Sequence, residues 1–361
     1  MQQEIKKLIQ DALQNLEIEV SDIALEHPED FKNGDYSTNV ALAIAKGVKM
    51  NPKALAEKIV VEINRLNVDK KIEKVEIAGP GFINFYLSRK FFAKSVEDIV
   101  NLAGNVGKNA NLSGKKIMIE YTDPNPFKPF HIGHLMTNAI GESVARILEH
   151  AGANVSRANY QGDVGLHVAK AIYGLEKKGM PSNTGAAFST LAQYIGQCYV
   201  FGAGVYDIEL KAKEEIDLIN KKVYDRSDKK INKIYDWGFK VTMEAFEGLY
   251  EMLGTKFDFY FLESQMAPIG EEIVRLNKGK VFEESDGAMV FKAEKYDPKL
   301  HTRVFITSQG LPTYETKELG LTEEKFKTSP AMDLSIVVTA NEQTDYMRVV
   351  AKAISLIHPE H

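Results

Sequence analysis

The feature that most constrains the fold is a short apolar strand followed by a proline-rich loop and a helix. A short run of mostly apolar residues predicts the strand at 117–121, prolines mark the loop at 123–130, and helical spacing runs over 134–150. A second strand is predicted at 155–160. This order is typical of a doubly wound α/β fold with a parallel sheet, in which ligands bind beyond the carboxyl ends of the strands.

Two histidines, His131 and His134, stand where this helix opens. Gly133 between them lets a nucleotide approach the backbone, and a helix N-terminus offers free N–H donors and a positive dipole end to phosphate. Both histidines can donate hydrogen bonds to the charge that develops when an α-phosphate is attacked. The structural alternative is that one histidine caps the helix and the other is packed. We expect no metal site, because no cluster of Asp, Glu or Cys lies nearby in the sequence.

Composition excludes several classes of protein. Hydrophobic residues make up 44% of the 361 residues, which is too many for a disordered chain, and no apolar run is long enough to span a membrane. The single cysteine, Cys198, excludes a disulfide framework and fits a reducing cytoplasm. A net charge of −5 argues against a purely electrostatic nucleic-acid binder, but it is compatible with an RNA enzyme that has a local basic face.

The first hundred residues have the pattern of a small α/β domain. Helical spacing and strand alternation predict elements over residues 3–16, 38–47, 52–66, 74–77, 82–87 and 89–102. A stretch rich in Gly, Asn and Ser at 104–114 marks a boundary, so we predict domains at 1–112 and 113–361. Residues 180–300 break the strand–helix rhythm and are predicted to be an insertion between two halves of a nucleotide-binding fold, whose later half includes a central strand at 334–338.

Several segments resemble the arginyl-tRNA synthetases, a class I aminoacyl-tRNA synthetase family. A His-x-Gly-His motif after a first strand is shared by class I synthetases and by small adenylyl- and cytidylyltransferases, but residues 119–135 are similar to the arginyl version. Residues 157–165 resemble that family's next strand and its Asn-x-x-Gly-Asp-x-Gly turn. Residues 35–39 and 78–85 resemble motifs of its additional N-terminal domain. The resemblance extends over nearly all of the chain in the same order.

The resemblance implies a class I Rossmann-like catalytic domain and an additional domain that recognises the tRNA elbow. It implies ATP-dependent activation of L-arginine to arginyl-adenylate and transfer of arginine to tRNA(Arg). ATP would bring Mg²⁺ as a substrate complex, and no prosthetic group or protein-bound metal is expected. By the same resemblance, the full-length protein is expected to be a cytoplasmic monomer that binds no membrane. The ATP-binding residues would be His131, Gly133, His134 and Asn341.

The resemblance also implies an arginine pocket. A planar guanidinium is best held by a carboxylate and flanking acceptors. By their motif positions, Glu120 corresponds to an acidic contact and Asn125 to the residue that holds the α-amino group. Tyr314 and Glu318, four residues apart and therefore on one helix face, would complete the guanidinium pocket. Lys317 and Glu318 replace the family's Arg and Asp. The structural alternatives are a solvated strand-end carboxylate, a turn residue and a surface helix turn.

Two weaker assignments follow from the same resemblance. After the strand at 334–338, Gln343 is predicted to contact arginine, and Asn341 is predicted to contact ATP. In the N-terminal domain, Phe82 and Asn84 match positions that contact the tRNA elbow. An aromatic ring and an amide on a strand can stack on and hydrogen-bond to an unpaired base. The alternative for Phe82 is an ordinary core residue.

Class I synthetases carry a second signature, a Lys-Met-Ser-Lys-type loop, and the arginyl family continues into a helical anticodon-binding domain. We find neither in this sequence, so we expect an N-terminal fragment that does not charge tRNA by itself. One alternative is a non-catalytic RNA-binding or regulatory fragment. Another is a glutamyl or glutaminyl synthetase, although acidic side chains in the predicted pocket argue against an acidic substrate.

Overall fold

The computed structural model describes residues 1–67, 70–181 and 185–359. The chain forms two compact units, Met1–Gly107 and Lys108–His361, and the division falls inside the stretch 104–114. Within the described ranges, no helix is both long and apolar enough to cross a membrane.

The first unit packs helices on an antiparallel sheet. Its elements are α1 (Gln2–Asn15), β1 (Tyr36–Thr38), α2 (Val40–Ile44), α3 (Pro52–Leu66), β2 (Ile72–Ala78), β3 (Phe82–Leu87) and α4 (Arg89–Leu102). The strand order is β1-β3-β2, with both pairings antiparallel. Apolar residues at helical spacing on α1 and α3 pack with alternate residues of β3, among them Ile9, Ile59 and Phe85. Asn51 begins α3 by accepting hydrogen bonds from the backbone N–H groups of Lys53 and Ala54.

The second unit contains the predicted parallel sheet. Its strands are β4 (Lys116–Glu120), β5 (Asn154–Gln161), β6 (Phe259–Leu262) and β10 (Leu334–Val337), in the order β10-β4-β5-β6. All three pairings are parallel, which confirms the α/β class predicted from the strand–loop–helix–strand pattern.

The remaining elements of this unit are mostly helical. The helices are α5 (Ile132–His150), α6 (Leu166–Lys178), α7 (Phe188–Tyr206), α8 (Leu210–Asp225), α9 (Lys229–Leu253), α10 (Glu263–Leu276), α11 (Tyr314–Thr328) and α12 (Thr344–Ile357). A separate antiparallel sheet comprises β7 (Glu283–Ser285), β8 (Ala288–Phe291) and β9 (Arg303–Ile306).

The structure corrects the predicted insertion at 180–300. Strand β6 lies inside that range, yet it pairs with β5 as an edge strand of the main sheet. Its sequence, Phe-Tyr-Phe-Leu, is a four-residue apolar run soon after the 25-residue helix α9. So short a run has no periodicity that distinguishes a strand from a buried helix end. The segment 180–300 is therefore not wholly an insertion.

Helices α10 and α11 approach each other so closely that glycine is needed on both. A Cβ on Gly270 would lie 1.8 Å from the carbonyl oxygen of Thr316, and a Cβ on Gly320 would lie 2.1 Å from that of Met266. Any side chain at either position would push the helices apart. This contact fixes α11, which carries two of the predicted arginine-binding residues, Tyr314 and Glu318.

Candidate active site

The carboxyl ends of β4 and β10 form the topological switch point of the parallel sheet. From β4 the chain adds β5 and β6 on one side and β10 on the other. Glu120 is the last residue of β4 and pairs in register with Val337, the last residue of β10. In open α/β sheets the ligand crevice lies beyond the strand ends at this point. Residues at and after these two strand ends are therefore placed to contact a ligand.

The loop after β4 is fastened to β5 by two side chains. Asp123 Oδ1 accepts a hydrogen bond from the Tyr160 backbone N–H at 2.8 Å, and Asn125 Oδ1 accepts one from the Gly162 N–H at 2.8 Å. Thr122 and Asp123 have φ angles of +79° and +47°, in the left-handed region that β-branched residues above all avoid. Such backbone conformations persist only where their surroundings hold them. The two side-chain bonds to β5 supply that support.

The two histidines each use one ring nitrogen to begin α5. His131 Nδ1 accepts from the Gly133 N–H at 3.1 Å, and His134 Nδ1 accepts from the His131 N–H at 3.2 Å. An imidazole whose Nδ1 is an acceptor carries its proton on Nε2, so both rings present an N–H donor on the other edge. Burial, followed by the charges of His131 and Lys128, lowers the pKa of His134 to about 4. Helix capping thus occupies the Nδ1 edge of each ring. The Nε2–H on the other edge remains a donor.

Buried carboxyl groups gather at the end of β4. Glu120 is 3% exposed, and the ammonium of Lys325, on α11, lies 2.5 Å from its Oε2. Burial, and after it the charge of Glu120, raises the pKa of Glu318 to about 8. The same two causes raise the pKa of Asp123 well above its usual range. Lys325 opposes both shifts without cancelling them, so the environment remains one that favours a further cation.

Two phenols share this acidic environment. Burial is the largest cause that raises the pKa of Tyr160 and of Tyr346, and the charge of Glu318 is the next largest for each. Both phenols therefore keep their protons at neutral pH. Carboxylates beside neutral hydroxyls are the partners that a group rich in N–H donors requires.

Lys317 belongs to a different ion pair, away from the carboxyl of Glu120. Its Nζ donates to Glu263 Oε2 at 2.6 Å, and both side chains are buried. Burial alone would lower the pKa of Lys317, but the charges of Glu263 and Tyr224 outweigh it, and the pKa is raised. The pair joins α11 to the first turn of α10, so the lysine that departs from the family pattern helps to anchor α11.

Two cavities divide the predicted arginine-binding residues. Asn125 and Tyr314 line one of about 430 Å³, and Tyr314 is 68% exposed at the start of α11. Glu318 and Lys325 line another of about 360 Å³, together with residues of β10 and α12. Glu120 joins this second group through its ion pair with Lys325. The predicted residues thus form two subsets, one acidic and buried and the other polar and open.

Asn341 and Gln343 lie in a single turn of 3-10 helix that follows β10. Asn341 Oδ1 accepts a hydrogen bond from the Thr344 hydroxyl at 3.2 Å, and Asn341 is exposed. Among the described residues, neither side chain has a hydrogen bond to another predicted site residue. Their position agrees with a switch-point location, but their contacts do not link them to the acidic group.

The two predicted tRNA-binding residues of the first unit differ in exposure. Phe82, at the start of β3, is 41% exposed. Asn84 is 4% exposed, and its Oδ1 accepts a hydrogen bond from the Ser37 hydroxyl of β1 at 2.7 Å. Phe82 is therefore available for stacking, whereas Asn84 acts within the sheet and presents little surface to a partner.

Sequence reasoning missed Lys325, Asp123, Tyr160 and Tyr346. A signal was present for the lysine, because Lys325 follows Glu318 by seven residues, which is close to two helical turns, and therefore shares its face of α11. The contributions of Asp123 and Tyr160 depend on the fold of the loop onto β5, which no local pattern encodes. Tyr346 lies in the first turn of α12, where nothing in the sequence indicated a site.

Two further observations concern metal-binding clusters and another, apolar cavity. In the described part of the chain, no group of three or more His, Cys, Asp or Glu side chains is arranged to hold a metal ion. A larger cavity, of about 1030 Å³, is lined mainly by apolar residues of α7 and α9 and by residues 128–130. It includes none of the residues predicted to bind ATP or arginine, so its size does not make it the candidate active site.

Comparisons with known protein families match both units. Residues 3–87 match the arginyl tRNA synthetase N terminal domain, and residues 96–358 match the catalytic domain of class I tRNA synthetases of the arginine type. An arginine–tRNA ligase of Caldanaerobacter subterraneus is 32% identical over 345 residues, which cover 90% of this chain and 58% of that protein. One from Bacillus cereus is 30% identical and covers 90% and 57%. The chain thus spans less than two thirds of the length of these relatives.

Two solved structures share the fold. Arginyl-tRNA synthetase from Plasmodium falciparum superposes with a TM-score of 0.64 at 19% identity, over 98% of this chain and 61% of that one. The Thermus thermophilus arginyl-tRNA synthetase gives a TM-score of 0.59 at 22% identity, over 89% and 52%. At these identities the likeness concerns the fold.

Proposed function

Because this chain belongs to the arginyl-tRNA synthetase family, we propose that it carries the arginine and ATP sites of an arginine–tRNA ligase. In the proposed reaction the carboxylate of L-arginine attacks the α-phosphate of ATP, which gives arginyl-adenylate and releases pyrophosphate. Arginine then passes to the terminal ribose of tRNA(Arg), and AMP leaves. No side-chain nucleophile takes part, so positioning and electrostatic stabilisation provide the catalysis.

One observation carries the arginine assignment, namely the cluster of three carboxyl side chains at the switch point. Glu120, Asp123 and Glu318 influence one another electrostatically, with Lys325 as the cation that opposes their pKa shifts. We assign the guanidinium to Glu318 and Glu120, with the Tyr314 hydroxyl at the open side. Glutamate would add a fourth carboxyl to this group, which disfavours a glutamyl enzyme.

The two remaining polar residues suit the other end of the amino acid. Asn125 is held by the Gly162 N–H, so its amide orientation is fixed before a ligand arrives. We assign it to the α-amino group of arginine. Gln343, in the turn after β10, is assigned to arginine as a second polar contact.

The histidine pair supports the assignment of ATP to the start of α5. His131 and His134 carry their Nε2–H groups on the ring edges away from the capping bonds, at a helix start of the kind that attracts phosphate. We assign the three residues to the phosphates and Asn341 to the adenosine. Mg²⁺ enters with ATP as part of the substrate. Because each ring accepts a hydrogen bond at Nδ1, its Nε2–H is the donor that can stabilise charge developing on the phosphate.

The proposal extends to the partner RNA. Phe82 is available to stack on an unpaired base of tRNA(Arg), and Asn84 supports the neighbouring surface through Ser37. We propose that the protein works as a monomer in the cytoplasm, where the tRNA and ATP are found, and does not act at a membrane.

Calorimetric titration of the chain with L-arginine, L-lysine and L-glutamate tests the proposed substrate. L-arginine is expected to bind. L-lysine is expected to bind with an affinity at least about tenfold lower, because an ammonium cannot make the paired hydrogen bonds of a planar guanidinium. L-glutamate is expected not to bind. Equal affinity for lysine would refute arginine selectivity, and the absence of binding by all three amino acids would favour the non-catalytic RNA-binding alternative.

A further inference from the structure

The arginine side-chain site already contains a cation of the protein. Glu120 and Lys325 are 3% and 4% exposed at their side chains, with Nζ 2.5 Å from Oε2. A surface ion pair contributes little, but a buried one leaves a costly uncompensated charge when either partner is removed. The carboxylate at the end of β4 is therefore not vacant, and an incoming guanidinium has to compete for it.

Lys325 also lies on the same face of α11 as the predicted ligand-binding residues. Tyr314, Glu318 and Lys325 follow one another at helical spacing, from the exposed start of the helix to its buried part. Glu318 and Lys325 both line the cavity of about 360 Å³. That volume is at the lower end of the range for small-molecule sites. Lys325 therefore lies two helical turns from Glu318, to which the guanidinium is assigned, on the same face of α11.

We propose that Lys325 is an internal placeholder for the arginine side chain, which holds Glu120 in the empty site and yields it when L-arginine binds. The inference rests on the proposed function and deepens it. A lysine is suited to this role because its point charge sits on a flexible four-carbon stem, so the ammonium can move while α11 stays in place. A planar guanidinium then gains a bidentate contact that the ammonium cannot make.

The placeholder imposes a cost on binding that a purely structural ion pair does not. If arginine binds only to molecules in which Lys325 has left Glu120, its apparent affinity falls by the fraction of such molecules. A residue at position 325 that holds Glu120 less strongly should therefore strengthen arginine binding, and one that holds Glu120 more strongly should weaken it. A structural role predicts the opposite order, because the conservative variant would be tolerated and the neutral variant would disorder Glu120.

The test compares Lys325→Met, Lys325→Arg and the wild type by calorimetric titration with L-arginine. We expect Lys325→Met to bind arginine about tenfold more tightly, as when a placeholder leaves about one tenth of molecules competent. Lys325→Arg should bind L-arginine with an affinity at least about threefold lower, since the guanidinium of the variant can hold Glu120 with two hydrogen bonds. In the Glu120→Gln background, Lys325→Met should give no gain in affinity.

Thermal unfolding provides a second readout should the neutral variant be unstable. Lys325→Met should unfold at a lower temperature than the wild type without ligand and should gain more from added L-arginine. Lys325→Arg retains the charge, and its weaker arginine binding tests the proposal by itself. Arginine affinity that is unchanged in Lys325→Arg, or unchanged or reduced in Lys325→Met, would overturn the placeholder role while leaving the proposed function intact. A wild-type chain that does not bind arginine would overturn both.

Discussion

At the histidine end of the candidate site the functional atoms are neighbours in sequence, whereas at the acidic end they come from distant parts of the chain. His131 and His134 are oriented by backbone N–H groups of their own helix start. Glu120 belongs to β4 and its partner Lys325 to α11. The first end is partly exposed, and the second is buried and charged. The difference indicates that the proposed phosphate contacts depend on local geometry, whereas the proposed selection of a side chain depends on contacts between distant parts of the chain.

The largest effect is expected at the histidine end. In the full-length protein, His131→Ala and His134→Ala should each slow adenylate formation by roughly 10²-fold or more, the scale for loss of one transition-state donor. Arginine affinity should be unchanged, because neither ring is assigned to the amino acid. ATP–pyrophosphate exchange with tRNA(Arg) present measures the rate.

A control for both variants is available on the same helix. Among the described residues, the Thr137 hydroxyl bonds only to helix carbonyls, those of Gly133 and His134, so Thr137→Ala should keep the exchange rate. Wild-type exchange in both histidine variants would show that their capping bonds are their whole role.

At the acidic end, Glu318→Gln should weaken L-arginine binding by roughly 30-fold or more, as expected when one partner of a buried charge pair is lost. The amide keeps the volume of the side chain, so the loss reports on charge. Calorimetry measures the loss, with Glu324→Gln as the matched control on α11, where Glu324 Oε2 lies 3.6 Å from Lys327 Nζ in a partly exposed pair. If Glu318→Gln bound arginine as the wild type does, the guanidinium would have to lie elsewhere.

The pH dependence should differ between the two ends. With its pKa at about 8, Glu318 is mostly protonated at pH 7 and must release that proton to hold a guanidinium. Arginine affinity should therefore rise by about fivefold from pH 7 to pH 8. The pKa of His134, at about 4, keeps that ring neutral across the same range. Titrations at both pH values check the rise, and an equal rise in Glu318→Gln would assign it to another group.

The smallest expected effect concerns stability without ligand. A carboxyl whose folded pKa is raised from 4.5 to about 8 stabilises the fold below pH 4.5, and this stabilisation is lost as pH rises towards 8. Glu318→Gln lacks this loss, so its melting temperature should fall less than that of the wild type between pH 6 and pH 8. Melting curves at pH 6 and pH 8 measure the difference. A melting temperature that falls as much in the variant as in the wild type would assign the loss to another group.

The same contrast explains what the sequence could predict. Helix α5 and strands β4, β5 and β10 follow from periodicity and from the order of elements, and all four were predicted close to their observed positions. The histidine geometry follows only in part, because the structural alternative expected one capping ring, whereas both rings accept a backbone hydrogen bond at the helix start. Strand β6 was missed, since its four apolar residues acquire meaning only from their pairing with β5.

The acidic end could be predicted only in part. Motif resemblance identified Glu120 and Glu318, but it gave no reason to expect that Glu120 would be paired inside the protein. That pairing depends on the close approach of α10 and α11 at Gly270 and Gly320 and on the position of β10 beside β4. Side-chain partners across such contacts have no local signature, so the electrostatics of the pocket required the fold.

A crystal structure of this chain with bound L-arginine tests the central claim most directly. We predict that the guanidinium lies within hydrogen-bond distance of the Glu318 carboxylate, beyond the ends of β4 and β10, with the α-amino group towards Asn125. We also predict that the Lys325 ammonium has moved away from Glu120. If the guanidinium lay outside hydrogen-bond distance of Glu318, the result would contradict the claim that the cluster of carboxyl side chains at the switch point selects the substrate.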